Sequence, residues 1–219
     1  MRDFQENIIS AVNQNSEHFY TYGSGAFKVM FVGNSITKHR PISENWNRDC
    51  GMWASSPEND YVHQLIKTME KELNREIAYS IVTAADFERQ FDTVSVEELY
   101  KDAVNYNPDI MIMFFGANVP KEYDNSANNE FGKAYEKLRN YLKGEKTLVF
   151  HSQGFYIRPV LDKEKEAVAK KYGDTFINIE NVRSREETHG LCNHPNDLGM
   201  KEIADKFWTA IKLKIKTTV

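Results

Sequence analysis

A serine, an asparagine and a histidine stand in settings where their side chains could cooperate. Ser35 lies in Gly33-Asn34-Ser35-Ile36-Thr37, Asn118 in Gly116-Ala117-Asn118-Val119, and His194 in His194-Pro195-Asn196-Asp197. A glycine and a short polar residue before Ser35 fit a sharp turn that exposes the hydroxyl and lets the backbone N–H face the same pocket. A serine alcohol is a weak nucleophile until a base removes its proton, and a neutral imidazole suits that task near pH 7. The amide of Asn118 could donate to the oxyanion of a tetrahedral intermediate. Asn196 or Asp197 can cap the helix that follows and so fix the loop carrying His194. The chemistry these residues allow is nucleophilic attack by an alcohol on a carbonyl carbon.

Other chemistries find less support. His189, Cys192 and His194 are zinc-ligand types close in sequence, but a complete site needs further ligands and none stands out. No metal and no other cofactor is expected. Neither a GxGxxG nor a GxxxxGK[ST] pattern is present, which argues against a bound nucleotide. Trp46, Trp53 and Tyr61 flank Gly51 and read either as a platform for a sugar ring or acyl chain or as packing. Arg89 follows a strand and could bind a substrate oxygen or tie down a loop. Trp53 and Arg89 are the substrate-binding candidates. His39, His63 and His151 read as structural, and Cys50 and Cys192 as two small buried thiols, with a disulfide between them the alternative.

These residues need a frame. Phe27–Val32 and Ile77–Val82 read as buried strands, Asp109–Phe115 is apolar at nearly every position, as in a strand covered on both faces, and Thr147–His151 and Thr175–Ile179 are shorter candidates. Helical spacing lies between them: Val62, Leu65, Ile66, Met69 and Leu73; Val96, Leu99, Tyr100, Ala103 and Val104 behind the capping box Ser95–Glu98; Phe131, Ala134, Tyr135, Leu138 and Leu142; Val160 to Lys171; and a last helix from about Asp197. The alternation predicts a three-layer α/β/α sandwich on a five-stranded parallel sheet, flavodoxin-like in order, 2-1-3-4-5. Its crevice opens at the carboxyl ends of the first and third strands, which is where Ser35 and Asn118 fall. Residues 1–26 are expected to form a helix (Phe4, Ile8, Ala11 and Val12 inward) and loop on a single domain of residues 27–219.

With 28 basic and 32 acidic side chains the net charge is −4, which excludes a strongly basic nucleic-acid binder. No apolar run reaches about 18 residues, so no membrane span is expected. Two cysteines make no disulfide framework, and a cytoplasmic protein is the expectation, although a removed signal peptide would leave no trace. The partner is a small-molecule ester, and the oligomeric state is not legible.

The motifs resemble those of the SGNH, or GDSL-like, hydrolase superfamily, in its bacterial acylhydrolase and esterase branch. Ser35 matches the nucleophile block as GNSIT in place of the commoner GDS, Gly51 in CGMWASS matches the second-block glycine, Asn118 the third-block asparagine, and His194 in HPND the histidine of the fifth. The resemblance implies a serine ester hydrolase with Ser35 as nucleophile and His194 as base, then acid. It also implies an oxyanion hole of the Ser35 N–H, the Gly51 N–H and the Asn118 side chain. One position departs: the family's aspartate three residues before the histidine is Leu191 here. A backbone carbonyl holding the imidazole, a reach from Glu186 or Glu187, or weak catalysis are the alternatives, the first favoured. A short acyl or acetyl ester, on a carbohydrate, is the substrate the resemblance implies. A non-catalytic carbohydrate- or small-molecule-binding module and an acyltransferase are the rival functions.

Overall fold

The computed structural model describes residues 18–41, 44, 46–125 and 130–218, with side chains through Lys216. In chain order its elements are β1 (Phe19–Tyr22), β2 (Phe27–Gly33), α1 (Tyr61–Leu73), β3 (Ile77–Thr83), α2 (Ala85–Gln90), α3 (Val96–Leu99), β4 (Ile110–Phe114), α4 (Glu130–Leu142), β5 (Leu148–Ser152), α5 (Pro159–Tyr172), β6 (Thr175–Ile177), α6 (Glu180–Arg183) and α7 (Asp197–Thr218). Short 3-10 turns join several of them.

The continuously apolar strands are buried on both faces. Val29 and Phe31 of β2 and Ile110, Ile112 and Phe114 of β4 point into one core, with Leu65 and Met69 of α1 and Ile203 and Phe207 of α7. Their alternates Met30, Val32, Met111 and Met113 point into the other, against Phe87 of α2, Phe131, Tyr135 and Leu138 of α4 and Leu161 of α5. At roughly 1.5–3 kcal/mol per large apolar side chain buried, these two cores are the main force behind the three layers.

The sheet has six strands in the order β1-β3-β2-β4-β5-β6. Its five parallel strands run β3-β2-β4-β5-β6, the flavodoxin-like order expected. The sixth, β1, is a strand where a loop was expected before Phe27. It pairs antiparallel with β3, from Phe19 opposite Val82 to Tyr22 opposite Tyr79, and covers what would be an open edge. Three of its four residues are aromatic, a run too short to separate from a loop by sequence. The helix expected over Phe4 to Val12 lies outside the described residues.

A second difference is α3. Ser95 Oγ accepts from Glu98 N at 3.2 Å, but the helix stops after one turn at Leu99. The Tyr100 hydroxyl donates to the Thr83 carbonyl at 3.1 Å, and the chain then turns through a left-handed Asn107 (φ 52°) to Pro108 and β4. Among the described residues no helix is long and apolar enough to cross a membrane.

Candidate active site

The turn after β2 is built around Gly33. A Cβ there would lie 1.7 Å from Thr37 Oγ1, so no larger residue fits. The Asn34 carbonyl accepts Thr37 N and Lys38 N, and its side-chain Oδ1 accepts Ile36 N at 3.2 Å. That leaves Ser35 at the apex. Its backbone N–H has no acceptor among the described residues, and its Oγ lies 3.1 Å from His194 Nε2.

His194 is held from its other nitrogen. Nδ1 is 3.1 Å from the Cys192 carbonyl and 3.0 Å from the Tyr156 hydroxyl. A carbonyl only accepts, so Nδ1 carries the hydrogen and Nε2 presents its lone pair to Ser35. Left-handed backbone at Cys192 (φ 54°) and Asn193 (φ 58°) turns that carbonyl back over the ring. Burial lowers the His194 pKa and the charge of His39 lowers it further, while the Cys192 carbonyl pulls the other way. Leu191, at the usual aspartate position, is 68% exposed. Glu186 and Glu187 lie in an exposed turn, and Glu187 pairs with Arg185 at 3.4 Å. Nδ1 is thus held by Cys192 and Tyr156, not by either glutamate.

Asn118 follows β4 across the crevice. Its Nδ2 donates to Glu88 Oε2, and the other oxygen of Glu88 accepts Gly116 N and, at 3.1 Å, Asn34 Nδ2. Glu88 is fully buried on α2. Burial pushes its pKa up and the donors pull it back. Because every contact just named is a donor, the carboxylate is the form that satisfies them all. The loop bearing Asn118 is fixed from behind as well: Arg158 donates to the Gly116, Val119 and Pro120 carbonyls, and the buried Lys165 ammonium donates to Phe115 O at 3.0 Å.

Gly51 sits beside this turn, and a Cβ on it would meet the Ile36 carbonyl at 2.5 Å. Its N–H, however, donates to the buried Asp60 at 3.0 Å and so is already committed to an acceptor. Asp60 also caps α1 through His63 N and meets His63 Nδ1 at 2.9 Å.

Of the substrate candidates, Arg89 is exposed and pairs with Asp86 at 3.1 Å, the loop-tying alternative. Trp53 has the left-handed φ of 72°, rare for a bulky residue. It lines an open depression of about 390 Å³ with Ser55, Asn196, Asp197 and Leu198, the last three running from the histidine motif into α7. Trp46 and Tyr61 are fully buried core residues. Asp197 accepts Ser55 N at 2.8 Å and Ser55 Oγ, tying the Gly51 loop to the His194 loop. Asn196 caps α7, its Oδ1 accepting Gly199 N at 3.0 Å. Cys50 is buried but Cys192 is exposed, correcting the expectation of two buried thiols, and both are free. His189 is occupied by Asn193 and the Arg183 carbonyl.

Sequence reasoning missed Tyr156 and Glu88. Tyr156 follows β5 at the same sheet end as Ser35 and Asn118, a position that could have drawn attention to it. Glu88 shares a helical face with Ala84, Phe87 and Phe91, which marks a carboxylate pointing inward.

Solved structures share this arrangement of strands and helices. A two-domain esterase (CEX) active on acetylated mannans, crystallised with mannopentaose, is 21% identical at a TM-score of 0.63, over 87% of this chain and 50% of its own. The esterase EstA from Pseudoalteromonas sp., inhibited by monoethylphosphonate, is 11% identical at a TM-score of 0.60, over 86% of this chain and 98% of its own. A lipase/acylhydrolase from Enterococcus faecalis is 18% identical at a TM-score of 0.54, over 86% and 96%. The fold, a flavodoxin-like α/β/α sandwich, is the one these esterases and this lipase/acylhydrolase share. The chain spans about half the length of the mannan esterase it matches. No protein-family model and no curated protein matches the sequence.

Proposed function

We propose that this protein is a carboxylic ester hydrolase working through a Ser35–His194 pair. The observation that carries the reading is the 3.1 Å contact of Ser35 Oγ with an imidazole whose far nitrogen faces an obligate acceptor. Ser35 Oγ attacks the ester carbonyl carbon as His194 Nε2 takes its proton, and the Cys192 carbonyl steadies the imidazolium that results. The oxyanion receives the Ser35 N–H and an N–H of Asn118. The intermediate collapses, His194 protonates the departing alcohol, and an acyl-serine remains. Water then attacks this ester with His194 again as base, releasing the acid and restoring Ser35. Gly51, the third donor implied by the superfamily resemblance, has its N–H on Asp60, so two donors carry the oxyanion here.

The substrate reading is a short acyl group, acetyl in the simplest case, on a carbohydrate hydroxyl. Its support is the open depression that Trp53 lines beside the histidine loop and the fold shared with an esterase active on acetylated mannans.

The test is hydrolysis of p-nitrophenyl acetate together with labelling of Ser35 by an organophosphonate. The wild type should hydrolyse and become labelled. Ser35→Ala and His194→Ala should each lose on the order of 10³-fold or more in kcat. Neither turnover nor labelling in the wild type would overturn the reading in favour of a binding module on this fold. Acyl transfer to an added sugar in place of water would reassign it as a transferase.

A further inference from the structure

The buried carboxylate of Glu88 has a role that the Ser–His chemistry does not use directly. Its two oxygens meet donors from both sides of the crevice: Asn34 Nδ2 at 3.1 Å from the turn after β2, and Gly116 N and Asn118 Nδ2 from the turn after β4. A side-chain amide has a donor end and an acceptor end of nearly equal shape, and only its partners choose between them. A carboxylate accepts only. Glu88 therefore forces the nitrogen of Asn118 toward itself, which leaves the second hydrogen on that nitrogen for an oxyanion. A flipped Asn118 would aim its carbonyl oxygen at a developing negative charge.

The same logic explains Asn34. Its Oδ1 accepts Ile36 N at 3.2 Å while its Nδ2 donates to Glu88. An aspartate there, as in the commoner GDS form, could serve Ile36 but would set a second carboxylate against Glu88 in a buried site, where two like charges do not both ionise.

We propose that Glu88 is the positioning residue of the oxyanion hole: it orients the Asn118 amide as a donor and locks it to the nucleophile turn through Asn34, which must be an amide for that reason. The proposal rests on the ester-hydrolase reading.

The experiment is a set of kcat and KM measurements on p-nitrophenyl acetate for wild type, Glu88→Gln, Asn118→Ala, the Glu88→Gln/Asn118→Ala pair and the Asn34→Asp/Glu88→Gln pair, each checked for folding by circular dichroism. Glu88→Gln keeps the shape but places an NH₂ against at least one donor, so kcat should fall about 10²-fold with KM within about threefold. In the Asn118→Ala background the same change should have almost no further effect on kcat. Asn34→Asp/Glu88→Gln should regain about tenfold over Glu88→Gln. The carboxylate introduced at position 34 would draw the NH₂ of the new amide at position 88 to itself and return that amide's oxygen to Asn118. A Glu88→Gln enzyme within threefold of wild type overturns the proposal, as do losses that multiply in the Asn118→Ala background. If Glu88→Gln does not fold, the Asn34→Asp/Glu88→Gln pair decides: a folded pair within about tenfold of wild type supports the proposal, and a larger loss overturns it. A wild type without turnover strikes the esterase reading instead, so the two failures are distinguishable.

Discussion

At the scale of residues, the proposed mechanism makes His194 the carrier of the pH behaviour. The base must be neutral to accept the Ser35 proton, so activity falls as pH drops through the His194 pKa. Burial lowers that pKa from its ordinary value. The acid limb of kcat/KM should therefore have its midpoint below about pH 6.5. A limb well above that value would mean that another group is titrating. The ring's tautomer depends on Cys192 O, a backbone atom that mutation of its side chain leaves in place, and on Tyr156. Removing one neutral hydrogen bond is worth about 0.5–1.5 kcal/mol, so Tyr156→Phe should lower kcat by about 2- to 12-fold. Glu186→Ala and Glu187→Ala should stay within about twofold of wild type, since the ring's bonds go elsewhere. A tenfold loss in either would return that glutamate to the role of third catalytic partner.

At the scale of elements, buried charge fixes the loops that follow β4 and β5. Lys165 of α5 donates to the Phe115 carbonyl and pairs with Asp162 at 2.9 Å, and Asp162 also pairs with Arg183 of α6 at 2.6 Å. Lys165→Ala leaves a buried carbonyl unsatisfied and the cluster one charge short. It should cost about 3–5 kcal/mol, read as a lower urea midpoint. Behind β5, Asp174 joins Arg139 of α4 through two bonds of 2.7 and 2.8 Å and meets His151 at 2.9 Å. Burial opposes the Asp174 charge, but the hydrogen bonds from His151 and Arg139 outweigh it and hold the pKa below the ordinary carboxylate value. A depressed pKa contributes stability above the unfolded value, near 3.9, that is lost as pH falls through the folded one. Asp174→Asn should thus destabilise the protein at pH 7 and flatten the stability loss below about pH 4. Urea titrations at both pH values check this.

At the scale of the whole molecule, the antiparallel β1 turns an open parallel sheet into one whose β3 edge is covered. Tyr22 stacks on Tyr79 at 4.8 Å between ring centroids, and Thr83 N donates to the His18 carbonyl at 2.9 Å. Deleting residues 1–22 should expose the backbone of β3 and give a less soluble protein with a lower Tm, measured by light scattering and thermal melting. Unchanged solubility and Tm would show β1 to be dispensable. Farther in, Asp197 bonds to Ser55 and Tyr156 to Cys192, so loops from distant parts of the chain close around one pocket.

The sequence by itself determined the five parallel strands and the residue types that stand at their carboxyl ends. The continuous apolar run over Ile110–Phe114 marks a doubly covered strand because burial is written into each residue. The turns bearing Ser35 and Asn118 follow their strands directly, so their place in the crevice came with the strand order. What only the tertiary structure decided are partnerships between positions far apart in the chain. The Cys192 carbonyl carries no side-chain signal, and Tyr156 gives no sign that it meets His194, 38 residues on. Glu88 lies 54 residues from Asn34 and 30 from Asn118. Gly51 fits its motif, yet its N–H goes to Asp60, a choice set by the packing of α1 against the β2 turn. A motif names residue types along the chain, whereas the direction of a hydrogen bond depends on which groups folding brings within reach.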